Sequence, residues 1–277
     1  MKILKHTITI LVIAALLLGN IPIFQNDIWA APMPVDIYVE SYTDGKLTLR
    51  WDVSGATSFS ISYHDPDGTL QNISDSGNTY TISNLQDNYI YDFKVDIYSG
   101  VNLIGSGLLY YLPRVTFYAT QGEQTREAIE GGGYEIGNRP ILKLKWVMPK
   151  IWVDTSGGKV VSANEALDYI NNSYSSIYGT DLKLSKLNFK INISSNASTL
   201  NSGAAQSAVN VIDGGSSGYK AYVSGNPSLE AKVEGPETDN YMSLDLVGKK
   251  DADSPLPTAN GDNELPHGDI LPGTVYY

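Results

Sequence analysis

From Tyr80 to Val95, large apolar residues alternate with polar ones in two runs. Tyr80-x-Ile82-x-x-Leu85 stops at a short polar corner, and Tyr91-x-Phe93-x-Val95 starts beyond it. A period of two marks a strand with one buried face. A run that ends at Leu85 and resumes at Tyr91 suits two strands on opposite sheets, joined where the chain crosses over. A tyrosine opening the second run can bury its ring while its hydroxyl bonds back to the corner backbone. The same alternation predicts strands at Pro34-Val35-x-Ile37-x-Val39, Leu47-x-Leu49-x-Trp51 and Phe59-x-Ile61-x-Tyr63. Pro34 is tolerated at a sheet edge. His64-Asp65-Pro66-Asp67-Gly68 is a turn signal that closes the third of these. A short edge strand over 70–73 and a last strand over 103–110 complete the set.

In this order and spacing, Trp51 and the Leu85–Tyr91 corner resemble the fibronectin type III family. The resemblance implies an immunoglobulin-like β-sandwich over residues 31–113. Trp51 would sit in its core, and Tyr91 would form the tyrosine corner of such sandwiches.

The frame occurs twice. Leu142-x-Leu144-x-Trp146 repeats the tryptophan-led strand. Leu187-x-Phe189-x-Ile191-x-Ile193 resembles the third strand. Ile270 and Tyr276 stand six residues apart, as Leu85 and Tyr91 do, with Pro272-Gly273-Thr274 between them. A second fibronectin type III-like domain is therefore expected over 114–277. Trp51 and Tyr91 are 40 positions apart but Trp146 and Tyr276 are 130 apart, so the second domain carries long insertions. One, from Ile151 to Lys186, carries a helix. Ser162-x-x-Glu165 reads as a capping box and Ala163, Leu167, Ile170, Tyr174 and Ile177 follow at helical spacing, with Gly179 as the end. Strand-like pieces stand at 219–223, 229–233 and 242–247. The chain stops where the sixth strand of the second sandwich should begin, so this domain is expected to be incomplete at its C-terminus and loosely packed there.

The N-terminus reads as a signal peptide over 1–30. Lys2 and Lys5 precede an apolar run from Ile8 to Leu18, and Ala30 and Ala31 supply small residues for cleavage. The run is too short to span a bilayer comfortably, and no stable membrane span is expected after cleavage. An uncleaved anchor is the alternative. Composition agrees with an exported β protein: 19 Tyr against 5 Phe favours pleated, half-exposed surfaces, and no Cys is present. Disulfides, thiolate zinc sites and cysteine nucleophiles are excluded. A net charge of -11 argues against nucleic acid and anionic membrane partners, which need a basic face.

Candidate chemistry is sparse. His64 reads as a solvated turn histidine. His267 lies near Asp262, Glu264 and Asp269, with no nucleophile elbow or zinc-type histidine spacing beside it. Asp251, Asp253, Asp262, Glu264 and Asp269 form an acidic loop that fits no calcium pattern. Gly131-Gly132-Gly133 lacks the strand-helix context of a phosphate loop. Sequons stand at Asn72, Asn171, Asn192 and Asn196, and Tyr98, Tyr110 and Tyr111 offer material for a binding strip. No catalytic, cofactor or metal residue is assigned. The expectation is a secreted, extracellular or cell-surface protein whose sandwiches act as spacer or interaction modules, with cell-wall or extracellular polysaccharide or other surface proteins as partners. The rival expectation is an accessory region of a secreted carbohydrate-active enzyme.

Overall fold

The structure, a computed structural model, describes residues 32–128, 134–155, 157–180, 184, 186–196, 198, 207–236, 240–259 and 261–276. The signal-like segment over 1–30 lies outside them. The chain divides into two compact units, Met1–Met33 and Pro34–Tyr277. The second is mostly β, in several sheets.

After the two-residue β1 (Met33–Pro34), a sheet in the order β2-β3-β6 is built from β2 (Ile37–Thr43), β3 (Lys46–Trp51) and β6 (Thr79–Ile82). A second sheet sets β4 (Ser58–His64) between β5 (Leu70–Asp75) and β7 (Tyr89–Ser99), with β8 (Asn102–Tyr111) beyond β7. Alternation decides what these sheets bury. Leu47, Leu49 and Trp51 from one meet Phe59, Ile61, Phe93, Val95 and Ile97 from the other, and none is more than 1% exposed. Each such side chain contributes about 1.5–3 kcal/mol by leaving water. Trp51 meets Phe59 edge-on, with ring centroids 4.6 Å apart. At the corner, the Gln86 N–H donates to the Tyr91 hydroxyl at 2.8 Å.

A second core repeats the plan. β9 (Phe117–Ala128), β10 (Tyr134–Val147), β17 (Tyr241–Val247) and β18 (Glu264–Pro266) form a sheet in the order β18-β17-β10-β9. The other sheet runs β13 (Phe189–Ile193), β14 (Ser207–Asp213), β15 (Tyr219–Val223) and β16 (Asn226–Lys232). Leu142, Leu144, Trp146, Met242, Leu244 and Leu246 pack with Val209, Val211 and Ala221 in one cluster, which Ile270 joins. The Leu271 N–H donates to the Tyr276 hydroxyl at 2.6 Å, and that hydroxyl donates to the Asp269 carbonyl at 2.8 Å. Residues 270–276 are therefore tied down. The loose packing expected here is not found at the corner: Leu265, His267 and Ile270 are at most 1% exposed.

The segment over 150–178 departs most from expectation. β11 (Lys150–Val153) pairs with β12 (Lys159–Ser162), but it also lies parallel to β7, with Lys150 opposite Tyr89 and Ile151 opposite Ile90. A segment assigned by sequence to the second domain thus extends a sheet of the first core. The helix α1 (Leu167–Tyr178) follows it there. Ile151, Val153, Ala166 and Ile170 form a third cluster against Ile90 and Tyr110. The Tyr178 hydroxyl accepts the Leu108 N–H at 3.0 Å, and its one proton faces the Val35 and Leu108 carbonyls, each at 3.1 Å. The helix starts at Leu167 and not at Ala163. Ser162 does bond Glu165, hydroxyl to carboxylate at 2.7 Å and N–H to carboxylate at 3.1 Å, but this closes a turn ahead of the helix. Gly179 ends the helix as predicted, at φ 63°. Among the described residues no helix is long and apolar enough to cross a membrane.

Candidate functional site

A group of interacting polar side chains lies where the 150–178 segment meets the first core. β4 ends in His64, and β7 places Asp92 beside it. The His64 backbone N–H donates to Asp92 Oδ1 at 2.8 Å, and His64 Nδ1 lies 2.8 Å from Asp92 Oδ2. Above the imidazole lies the indole of Trp152 from β11, stacked at a centroid distance of 3.5 Å and an angle of 12°. Trp152 fits a slot made by two glycines. A Cβ at Gly158 would approach its ring to 2.8 Å, and one at Gly68 to 3.0 Å.

This overturns the reading of His64 as a solvated turn histidine: its side chain is 14% exposed and that of Asp92 is 10% exposed. The turn after β4 is real, with the Gly68 N–H on the Asp65 carbonyl at 2.9 Å, but the β11–β12 hairpin covers it. Burial pushes the Asp92 carboxyl above its ordinary range, opposed by the two bonds from His64. Burying a carboxylate disfavours its charged form unless donors compensate.

Next to the pair is a cavity of about 260 Å³, lined among others by Tyr63, Lys94, Tyr110, Tyr169, Ser173 and Ile177. Burial raises the pKa of both the Tyr110 and Tyr169 phenols, against a smaller opposing pull from the neighbouring Ser173 side chain. They stay protonated near neutrality and can donate. The arrangement is a small hydroxyl-rich recess with aromatic and aliphatic walls, able to hold a compact polar molecule by hydrogen bonds. Both Asp92 oxygens are engaged by His64, so the pair braces the wall.

The other sequence candidates are scattered. His267 is 1% exposed, its N–H bonds the Val247 carbonyl at 2.9 Å, and burial lowers its pKa against the pull of Asp269. Asp251 accepts the N–H groups of Asp253 at 3.0 Å and Ser254 at 2.8 Å within its own loop. Among the described residues no three His, Asp or Glu side chains gather where a metal could be held. Tyr98, Tyr110 and Tyr111 do not make one strip. Tyr110 lines the cavity, whereas Tyr111, its neighbour on the strand, packs on Tyr42 at 5.8 Å. Of the sequons, Asn72, Asn192 and Asn196 are exposed. The Asn171 amide instead binds the Leu184 carbonyl and N–H at 2.8 and 2.9 Å. Gly131-Gly132-Gly133 lies outside the described residues.

Asp92 and Trp152 had no signal in the sequence beyond their types. Asp92 stands at an ordinary polar position of the alternation between Tyr91 and Phe93, so nothing in the pattern sets it apart. No protein-family model matches the chain, and no curated protein matches it.

Proposed function

We propose that this is an exported cell-surface or extracellular protein, without catalysis of its own, whose immunoglobulin-like, fibronectin type III-like sandwiches serve as a spacer and as interaction modules. The observation that carries this reading is the bracing of the two cores. Three separate contacts tie the 150–178 segment to the first core: β11 on β7, Trp152 on His64, and Tyr178 on the Leu108 backbone. That segment leaves β10 of the second core after only Met148 and Pro149. Neighbouring domains move freely unless their interface is large and hydrophobic. A brace of this kind suits a part that must hold a distance or an orientation.

The fibronectin-like assignment is supported by the two corners. In each, a tyrosine hydroxyl accepts the N–H of the residue five positions earlier, Gln86 for Tyr91 and Leu271 for Tyr276. This is the bond that defines a tyrosine corner. Export is tested by expressing the full chain in a bacterial host and fractionating the cells. Recovery from the medium or cell surface with a mature N-terminus near Ala31 is expected, and retention in the cytoplasm would overturn the reading.

The hydroxyl-rich cavity beside Asp92 favours a second reading, an accessory region of a secreted carbohydrate-active enzyme. Calorimetric titration with neutral mono- and oligosaccharides tests it. Saturable heat that Tyr110→Phe weakens supports it, and no heat with any of them dismisses it.

A further inference from the structure

The recess beside Asp92 is built by two separate parts of the chain. Its floor is the outer face of the sheet that holds β4, β7 and β8. Ser62, Lys94 and Leu108 stand there in one cross-strand row, and Asp92 and Tyr110 in the next. Its roof is α1, where Tyr169, Ser173, Ser176 and Ile177 fall on one face of the helix. The helix reaches the floor through the Tyr178 hydroxyl on the Leu108 N–H. Ahead of the helix, the Asn164 amide donates to Asp213 Oδ2 at the end of β14, at 3.3 Å. The 150–178 segment is thus a strap that touches both cores, and the recess lies under its helix.

The lining narrows the class of ligand. The Tyr110 phenol donates from the floor and the Tyr169 phenol from the roof, both kept protonated by burial. The Ser62 and Ser176 hydroxyls can donate or accept. Leu70, Leu108 and Ile177 supply apolar wall. Each charge that faces the space is already matched within the protein. Lys94 Nζ lies 2.8 Å from Asp96 Oδ2, and His64 Nδ1 lies 2.8 Å from Asp92 Oδ2. A charged ligand would have to displace one of these partners. A neutral ring with hydroxyls on its rim and C–H groups on its faces meets every surface without doing so. At about 260 Å³ the space is smaller than the about 300–1,000 Å³ of drug-sized sites, so it takes one such ring.

We propose that a single neutral sugar ring binds between α1 and the β7–β8 floor and clamps the strap onto the first core. The proposal rests on the second reading of the recess given above, and adds that occupancy sets how firmly the two cores are held. When α1 lifts, Tyr169, Ser173 and Ile177 leave the site, so the sugar binds the docked form alone. A ligand that binds one of two states draws the population toward it. At about ten times its Kd the sugar lowers the lifted population about elevenfold.

The test titrates the full chain calorimetrically with glucose, galactose, mannose and N-acetylglucosamine. Amide hydrogen exchange is then followed with the tightest binder at about ten times its Kd. Exchange at Ser173, Ser176 and Ile177 should slow about tenfold, and exchange at Val209 and Val211 of β14 by clearly less. Tyr110→Phe on the floor and Tyr169→Phe on the roof should each weaken binding about threefold or more. No saturable heat with any of the four sugars overturns the proposal and the sugar reading together. Saturable heat that leaves α1 exchange unchanged, or slows it no more than β14, overturns the clamp and leaves the sugar reading standing. Binding that Tyr169→Phe leaves unchanged does the same, because the sugar then sits on the floor alone.

Discussion

The indole of Trp152 lies flat on the imidazole of His64, 3.5 Å between centroids, although 88 positions separate them and the hairpin carrying Trp152 springs from the second core. That stack, seated in the slot formed by Gly68 and Gly158, is one of three contacts that hold the 150–178 segment on the first core. Trp152→Ala removes a large, partly buried ring, and a loss of about 2–4 kcal/mol is expected from lost packing. Gly158→Ala acts on the same slot from the other side. Its φ is +80° and the new Cβ would stand 2.8 Å from the indole, so a loss of about 1–3 kcal/mol is expected. Urea unfolding of both variants checks these values, and near-parent stability for both would show that the stack carries little.

The two corners predict a matched pair of effects. Tyr91→Phe leaves the Gln86 N–H without its acceptor, and Tyr276→Phe does the same to Leu271. Each loss should cost about 1 kcal/mol. Tyr276→Phe should cost the more, because that hydroxyl also donates to Asp269. Amide exchange at Gln86 and Leu271 reports the same event locally and should quicken only in the matching variant.

Stability should bend with pH in two directions. His267 is buried with its pKa lowered from the ordinary 6.5. The unfolded chain therefore binds a proton more readily, and the stability due to its buried neutral form is present above 6.5 and lost as pH falls through the lowered value. Asp92 has the opposite sign. Its pKa is raised from 3.8, so its contribution is fullest below 3.8 and declines as pH rises through the raised value. His267→Gln should flatten the first slope and Asp92→Asn the second. Denaturant midpoints taken across acid pH measure both, and a slope left unchanged in either variant contradicts its assignment.

Much of the first core was legible because its strands alternate and, from β2 to β8, no more than two other strands separate paired ones along the chain, β4 from β7 and β3 from β6. Leu47-x-Leu49-x-Trp51 and Tyr91-x-Phe93-x-Val95 stand where the pattern put them. The second core was legible only through its likeness to the first. Its β9 and β14 were not foreseen: β9 runs through largely polar residues such as Gln121, Glu123 and Gln124, and the Ser207–Asp213 strand is short and flanked by small residues. The destination of 150–178 was hidden for a different reason. β11 has four residues, and nothing in them distinguishes the edge of β7 from an edge of their own domain. The His64–Asp92 pair depends on the cross-strand register of β4 and β7, which no spacing along one strand reveals. Ser162 and Glu165 teach a smaller lesson. The capping pair formed, yet four residues of turn intervene before the helix, because Ala163 and Ala166 are both buried in fixing the turn.

Bracing of the two cores by the 150–178 segment carries the spacer reading, and the absence of cysteine allows clean labelling. Nitroxides at Ser76→Cys and Lys232→Cys, exposed sites on the first and second cores, give a pulsed-EPR distance distribution in the full chain. A single narrow distribution is predicted for the otherwise unaltered protein, broadening when Trp152→Ala is added. A broad or multiple distribution before that change would contradict the account.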